Sequence, residues 1–358
     1  MGYNNSLYSF LVQDYEYIYE NYADDFEAIR GLRIALTGAS GMLSKYIIHF
    51  IAFLNRRYDF KIHVAALEIN EDFLVSDYNE YIEEGWLEAI VGDVRFINIE
   101  DSRLRADIII NSASPTSPYD YEHHPATVAT INIIGTHKCL ELAKKNSSKL
   151  ILVSSSSVYG NTTNDTIDEN AYGPLDNLVT SACYSEGKRA AETLCVAYNK
   201  EYGVQTYIAR CRRIFGPTAN MKSKSLLNKL LQSASRRKSI DMFRDPDNMI
   251  QLIYLGDVLS GLFEIIAHGI SGEAYNISTN YAISVDELAS IIEALENDGL
   301  KINWIDKETI NDSVRTAKQT NRNNGSCVST KLQNISHFKQ LFPLEKGLAN
   351  TINSLRLD

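Results

Sequence analysis

The sequence lacks any run of about 18 apolar residues, the length a membrane-spanning helix needs, so no membrane span is expected. The N-terminus lacks a basic segment followed by an apolar one, which removes a signal peptide from the expectations. There is no CxxC pair, and the five cysteines (Cys139, Cys183, Cys195, Cys211, Cys327) are odd in number and widely spaced. That pattern argues against a disulfide framework and a structural zinc, and predicts reduced thiols in a cytoplasmic chain. Positive charge is also short. Lys plus Arg number 35 against 45 Asp plus Glu, a net charge of −10, the wrong balance for a protein that displaces counterions from nucleic acid. What is present suffices for a large core: 358 residues, 44% of them hydrophobic, allow about two domains or one large α/β domain with an appendage. Tyrosine is abundant at 21 residues, and composition alone assigns none of them a task.

Along the chain, residues 1–30 are acidic and Tyr-rich, with Tyr8, Leu11, Tyr15, Ile18, Tyr19 and Tyr22 at helical spacing. This predicts an amphipathic leader helix docked on the main body. From residue 31 the character changes. Leu32–Leu36 is a short apolar run ending in Thr37-Gly38, followed by a helical pattern from Leu43 to about Asn55, the start of a βαβ unit. Further apolar runs at His63–Ile69, Leu87–Val91, Ala106–Ile110, Lys149–Val153 and Val204–Ala209 are too continuous for half-exposed strands and predict a doubly wound parallel sheet covered on both faces. Helices are expected at Ala126–Lys145 and Tyr184–Tyr202, the latter stopped by Gly203. The division expected is a leader (1–30), a dinucleotide-binding domain (31–216) and a smaller α/β substrate lobe (217–358) interleaved with it.

Three patterns carry chemistry. Thr37-Gly38-Ala39-Ser40-Gly41-Met42-Leu43-Ser44 joins strand to helix, and glycines there let the backbone approach a pyrophosphate held by the helix N-terminus. Ser44 stands where the pattern normally has its last glycine. Glu68 ends the second strand, where a carboxylate accepts the ribose hydroxyls of NAD and repels the 2′-phosphate of NADP, and Asp93 ends the third, within reach of an adenine amino group. Tyr184 and Lys188 lie four residues apart on one helix face, so the ammonium is expected to lower the phenol pKa and make it a proton acceptor. Upstream, Ser154–Ser157 end the fifth strand in hydroxyls, at the sheet edge where open α/β folds bind ligands.

Taken together, TGASGMLS at 37–44, Asn111-Ser-Ala-Ser-Pro115, Asn132-Ile-Ile-Gly135-Thr136, SSSSVYG at 154–160 and YSEGK at 184–188 resemble the extended short-chain dehydrogenase/reductases. Within them the chain is most similar to the NAD-dependent epimerase/dehydratase family, from about residue 31 to 300, nearest to the UDP-glucuronate decarboxylase and dTDP-glucose dehydratase branch. The resemblance implies a Rossmann-type fold and NAD held by Gly38, Ser40, Gly41, Met42, Leu43, Glu68, Asp93, Val94, Ala113, Asn132, Tyr184 and Lys188. It implies Tyr184 as catalytic base, Lys188 as its partner and Ser155 as the hydroxyl on the reacting sugar oxygen, with a nucleotide-sugar substrate contacted by Ser114, Ser155, Ser156 and Arg213. A homodimer through residues 126–145 and 184–202 is a further implication.

The departures decide what reaction is expected. Dehydratases and decarboxylases of this family carry an acid just before Val-Tyr-Gly, and here Ser157 stands there, leaving epimerisation through transient oxidation at sugar C4 as the simplest outcome. The family pattern Arg-x-Phe-Asn-x-Tyr-Gly-Pro becomes Arg210-Cys-Arg-Arg213-Ile-Phe-Gly216-Pro217, and a usual Arg is replaced by Ile250. Lys188, Arg210 and Arg213 are therefore the cations expected to face an anionic ligand. A decarboxylase, 4,6-dehydratase or 4-keto reductase stays open, as does a non-catalytic NAD-binding scaffold or sensor. No metal is expected: adjacent His123 and His124 point apart, with no third ligand at helical spacing. Cys183 reads as a packed thiol, Ser155 with His137 lacks the GxSxG of a hydrolase, and Arg236-Arg237-Lys238 reads as a solvated turn.

Overall fold

The computed structural model describes residues 3–218, 225–296, 299–305 and 325–357. Its centre is a seven-stranded, all-parallel sheet. In chain order the strands are β1 (Arg33–Thr37), β2 (His63–Glu68), β3 (Leu87–Val91), β4 (Ile108–Asn111), β5 (Lys149–Ser155), β6 (Thr206–Cys211) and β7 (Ala274–Ile277). In space they run β3-β2-β1-β4-β5-β6-β7. The order reverses between β1 and β4, which opens a crevice at their carboxyl ends.

The apolar runs are continuous because both faces are covered. Ile34, Leu36, Ile108 and Ile110 point into one core while Ala35, Ile109, Leu150 and Leu152 point into another, the two-residue alternation of a strand buried on both sides. Two helices, α1 (Tyr3–Phe26) and α2 (Met42–Tyr58), serve the first core together with Leu255–His268. The leader helix is present, and its buried stripe is Leu7, Leu11, Tyr15, Ile18, Tyr22 and Phe26, with Tyr8 and Tyr19 only partly covered.

Further on come α3 (Glu71–Glu83), α4 (Pro118–His123), α5 (Pro125–Thr130), α6 (Thr136–Asn146) and α7 (Cys183–Tyr202). The second core is sealed by α6 and α7, through Cys139, Leu140, Ala191 and Cys195. The helix expected over Ala126–Lys145 is interrupted: Ile131–Gly135 forms a π turn between α5 and α6, a feature frequent at functional sites. Strand β7 pairs with β6 at the edge of the main sheet, so the chain after residue 216, expected as a separate but interleaved lobe, returns to the first unit. Other elements of that stretch include the parallel pair Ile240–Phe243 with Ile302–Ile305. Residues 219–224 and 306–324, which belong to the expected lobe, lie outside the described residues.

Candidate active site

At the switch point, Gly38 adopts a φ of +69° and sits so close to the loop after β4 that a Cβ there would lie 2.8 Å from the Ala113 Cα. Only glycine fits both demands. Its N–H donates to the Leu67 carbonyl at 2.9 Å and its own carbonyl accepts from Gly41 at 2.9 Å, closing the turn. Gly41 caps α2 without any side-chain acceptor, so the first-turn amides around Met42 and Leu43 face the crevice mouth uncapped by protein side chains. The two loops are clamped by a buried network. The Thr37 hydroxyl donates to Asn111 Oδ1 at 2.9 Å and accepts from the Ala113 N–H at 3.1 Å, while Asn111 Nδ2 donates to Thr136 Oγ1 at 3.0 Å. Ser44, in the place of the last glycine, is fully buried with its hydroxyl unpartnered, so strand and helix still pack closely around it.

Glu68 is buried at the end of β2, where one oxygen accepts from the Ser40 N–H at 2.9 Å and the other from the Ile69 N–H at 2.9 Å. It thus joins the glycine turn to β2 as well as marking the crevice rim. Asp93 is less free than its motif suggests. Arg95 chelates its carboxylate, with Nη2 at 2.5 Å from Oδ2, and holds its pKa below the usual carboxylate range. Neighbouring Val94 is buried against Gly135, where a Cβ would meet the Val94 Cγ1 at 2.7 Å. Asn132, in the π turn, packs on α7 beside Gly187; its Nδ2 donates to the Val128 carbonyl at 2.8 Å, and its buried Oδ1 has no partner. An unsatisfied buried acceptor costs stability in the protein alone and points to a donor supplied from outside.

The start of α7 brings Tyr184 and Lys188 against the carboxyl end of β5. Tyr184 shares a hydrogen bond with the Ser155 hydroxyl, which also accepts from the Ser157 N–H at 3.2 Å. Lys188 is buried, donates to the Val153 carbonyl at 2.7 Å, and lies with Nζ 5.8 Å from the Tyr184 ring centroid. The expected lowering of the tyrosine pKa is reversed. Burial pushes the Tyr184 phenol up to about 12, opposed by its hydrogen bond with Ser155, and burial pulls Lys188 down to about 8. The ammonium spends its hydrogen bond on a backbone carbonyl, so desolvation outweighs attraction at this separation.

Around this core stand groups that the sequence reading passed over. The ring of Tyr121, from α4, stacks on Tyr184 with centroids 5.3 Å apart at 23°. The helix starts where it does because Ser117 caps it, accepting from the Asp120 N–H at 3.2 Å, with Pro118 in its first turn. Arg212 Nη1 donates to Ser156 Oγ at 3.3 Å. Its signal was the departure itself, an arginine where the family pattern has Phe. Arg213 is exposed yet crowded by protein, which together with the like charge of Arg212 holds its pKa below the usual arginine value; an open side chain with protein on most sides marks a cleft wall. Ser114, after β4, is half-buried with its hydroxyl on the Pro115 carbonyl at 3.3 Å. Arg210, expected to face a ligand, does not. Glu192 holds it from below through Oε2 at 2.8 Å from Nη2, and Tyr159 and the Glu169 carbonyl take its other side.

A parallel sheet with a glycine turn at its switch point, beside a Ser-Tyr-Lys cluster, is the architecture of a dinucleotide-dependent enzyme with a Rossmann-type fold. The chain belongs to the NAD dependent epimerase/dehydratase family, whose model matches residues 34–278. Its cofactor is NAD. A UDP-glucuronic acid decarboxylase 1 of Xenopus tropicalis is 29% identical over 258 residues, 72% of this chain; the match spans 59% of that protein's length. A UDP-glucuronic acid 4-epimerase from Bacillus cereus, solved with UDP-glucuronic acid and NAD, superposes with a TM-score of 0.74 at 19% identity, covering 90% of this chain and 99% of that one. A dTDP-glucose 4,6-dehydratase from Bacillus anthracis, solved with NAD, gives 0.70 at 20% identity over 90% and 96%. Among the described residues no helix is long and apolar enough to cross a membrane.

Proposed function

We propose that this chain is a nucleotide-sugar epimerase that works through transient oxidation at sugar C4. The observation that carries the epimerase reading is Ser157: at the place where the eliminating members of the family resembled here carry an acid, this chain has a hydroxyl, buried and unpartnered. The glycine turn, the uncapped start of α2 and the orphaned Asn132 oxygen suit NAD. In this reading Gly38, Ser40, Gly41, Met42 and Leu43 cradle its pyrophosphate, Glu68 takes the adenosine ribose, and Asp93 with Val94 borders the adenine. Ala113, Asn132, Tyr184 and Lys188 line the nicotinamide half. When bound, NAD supplies reversible hydride acceptance at the sugar carbon.

The chain's own residues do the proton work. Tyr184 takes the C4 hydroxyl proton, Ser155 holds the same oxygen in line, and Lys188 stabilises the phenolate. The C4–H and O–H bonds break to give a 4-keto sugar. When the sugar turns, hydride returns to the opposite face and Tyr184 gives the proton back, so no net oxidation occurs. Ser114, Ser156, Arg212 and Arg213 are assigned to the substrate. Arg212 and Arg213, in the places of Phe and Asn, bring positive charge to a ligand that is itself anionic.

Decarboxylation is the second reading, favoured by the name of the Xenopus tropicalis relative. Incubation with a panel of nucleotide sugars, followed by mass spectrometry and NMR, separates them: an unchanged mass with inverted configuration supports the epimerase, and loss of carbon dioxide or water overturns it. We also infer a homodimer through residues 126–145 and 184–202, where Ile134 and Val196 are 40% and 48% exposed on neighbouring helices. The inferred location is the cytoplasm, on the support of five unpaired thiols. The division into 1–30, 31–216 and an interleaved 217–358 is proposed as the working domain description.

A further inference from the structure

The short helix α4 puts no side chain into the core, and Tyr121 belongs to none of the hydrophobic clusters that hold the sheet and its helices together. Yet the segment is stiff. Pro115 and Pro118 each fix a φ angle on the way from β4. Ser117 caps the start and its hydroxyl also donates to Asp120 Oδ2 at 2.5 Å, while the His124 N–H donates to the Asp120 carbonyl at 2.8 Å as the chain turns into α5. The helix rests on the turn Thr180–Ala182, which leads directly into α7 and so to Tyr184. What this scaffold delivers is one ring: Tyr121 lies on Tyr184 with centroids 5.3 Å apart at 23°, the offset stack that aromatic pairs favour.

Tyr184 has need of such a contact. Its phenol is held at the oxygen by the hydrogen bond with Ser155, from β5. One bond at the tip leaves the ring free to swing, because the terminal torsion of a tyrosine is broad. A second ring laid on its face removes that freedom and covers the phenol from water on that side. The other groups facing Tyr184 are Lys188, with Nζ 5.8 Å from the ring centroid, and Cys211 from β6. Those facing Tyr121 are Cys183 from the start of α7, Asp120 from α4 itself and Arg213 from the strand Arg213–Phe215. Burial pushes the Tyr121 phenol up further still than that of Tyr184, so Tyr121 does not compete for the proton and acts through the ring it touches.

We propose that Tyr121 is a positioning residue, whose ring holds the Tyr184 phenol in plane and dry for the proton exchange; the inference rests on the reading of Tyr184 as the base. The first measurement needs no substrate. Tyrosinate absorbance is titrated in Tyr121→Ala and in Tyr121→Ala combined with Tyr184→Phe, and the difference isolates the ionisation of Tyr184. With the covering ring gone, water reaches the phenol, and the midpoint should fall from about 12 toward the ordinary 10.0, while Tyr121→Phe, compared in the same way, keeps it near 12. Alanine is the best helix former, so α4 persists in the variant. The second measurement uses the nucleotide sugar of the panel that the wild type turns over. Tyr121→Ala and Tyr121→Leu should lose about 10- to 100-fold in kcat with little change in KM, and Tyr121→Phe should recover most of the turnover. Tyr119→Ala, at an exposed position of the same helix, controls for damage to α4. An unmoved Tyr184 midpoint in Tyr121→Ala, or a raised KM with unchanged kcat, overturns the proposal. A wild type that turns over no nucleotide sugar overturns the proposed function instead, and the titration still decides the role of Tyr121.

Discussion

Tyr184 keeps its proton in the free protein. With the phenol pushed up to about 12 and Lys188 pulled down to about 8, the ammonium loses its charge before the phenol ionises in the absence of ligands. In the proposed reaction the base is therefore generated in the liganded complex. The difference in tyrosinate absorbance between wild type and Tyr184→Phe should show no Tyr184 ionisation below about pH 10 in the free chain. Turnover should fall by about 10²–10⁴-fold in Tyr184→Phe while NAD still binds, and near-wild-type activity would remove the assignment. Lys188 also couples stability to pH. Its folded pKa lies below the ordinary value of 10.5, so between about 8 and 10.5 the unfolded chain holds the extra proton at this site and the Lys188 contribution to stability rises with pH. The buried thiols, pushed up by burial, act in the opposite sense over the same range, so the lysine is read from a difference: between pH 8 and pH 10, denaturant unfolding should show the stability of wild type rising relative to that of Lys188→Met. Glu192 carries a different load. It holds Arg210 and accepts from the Ser154 hydroxyl at 2.5 Å, so Glu192→Gln leaves a guanidinium poorly compensated and should cost about 3–5 kcal/mol in chemical denaturation.

Among the elements, the glycine turn was the most legible feature, because its conformation is demanded locally: a positive φ and a close backbone approach leave no residue but Gly38. Gly38→Ala should abolish NAD binding by equilibrium dialysis even where the chain still folds, since the new Cβ collides with backbone. The strands were legible for a similar reason, their continuous apolar runs reporting burial on both faces. Other parts depend on contacts between residues far apart in sequence. The π turn at Ile131–Gly135 sits inside an unbroken helical pattern, and α4 is a short capped helix whose importance lies in laying Tyr121 on Tyr184. Arg210 read as a ligand-facing cation because its partner Glu192 lies on another element, 18 residues away. In α1 the pattern was read with Tyr8 and Tyr19 inward, whereas docking buries Leu7 and Phe26; tertiary packing chose among neighbouring faces of one amphipathic helix.

Across the whole molecule, an acidic chain proposed to handle two anionic ligands concentrates its cations. Glu192 neutralises Arg210 and Lys188 is buried beside Tyr184, while Arg212, bonded to Ser156, and the exposed Arg213 are the guanidinium groups proposed for the substrate. The reading of a homodimer predicts that sedimentation finds two chains per particle and that Ile134→Lys with Val196→Lys yields monomers; a monomeric wild type contradicts it. The central claim, oxidation and return of hydride at one sugar carbon, has its most direct test in a nucleotide sugar deuterated at C4, drawn from the panel above. The account predicts a product of unchanged mass that keeps its deuterium at C4 in the inverted configuration. A product that has lost carbon dioxide or water, or an epimer whose C4 deuterium has been exchanged for solvent hydrogen, would contradict it.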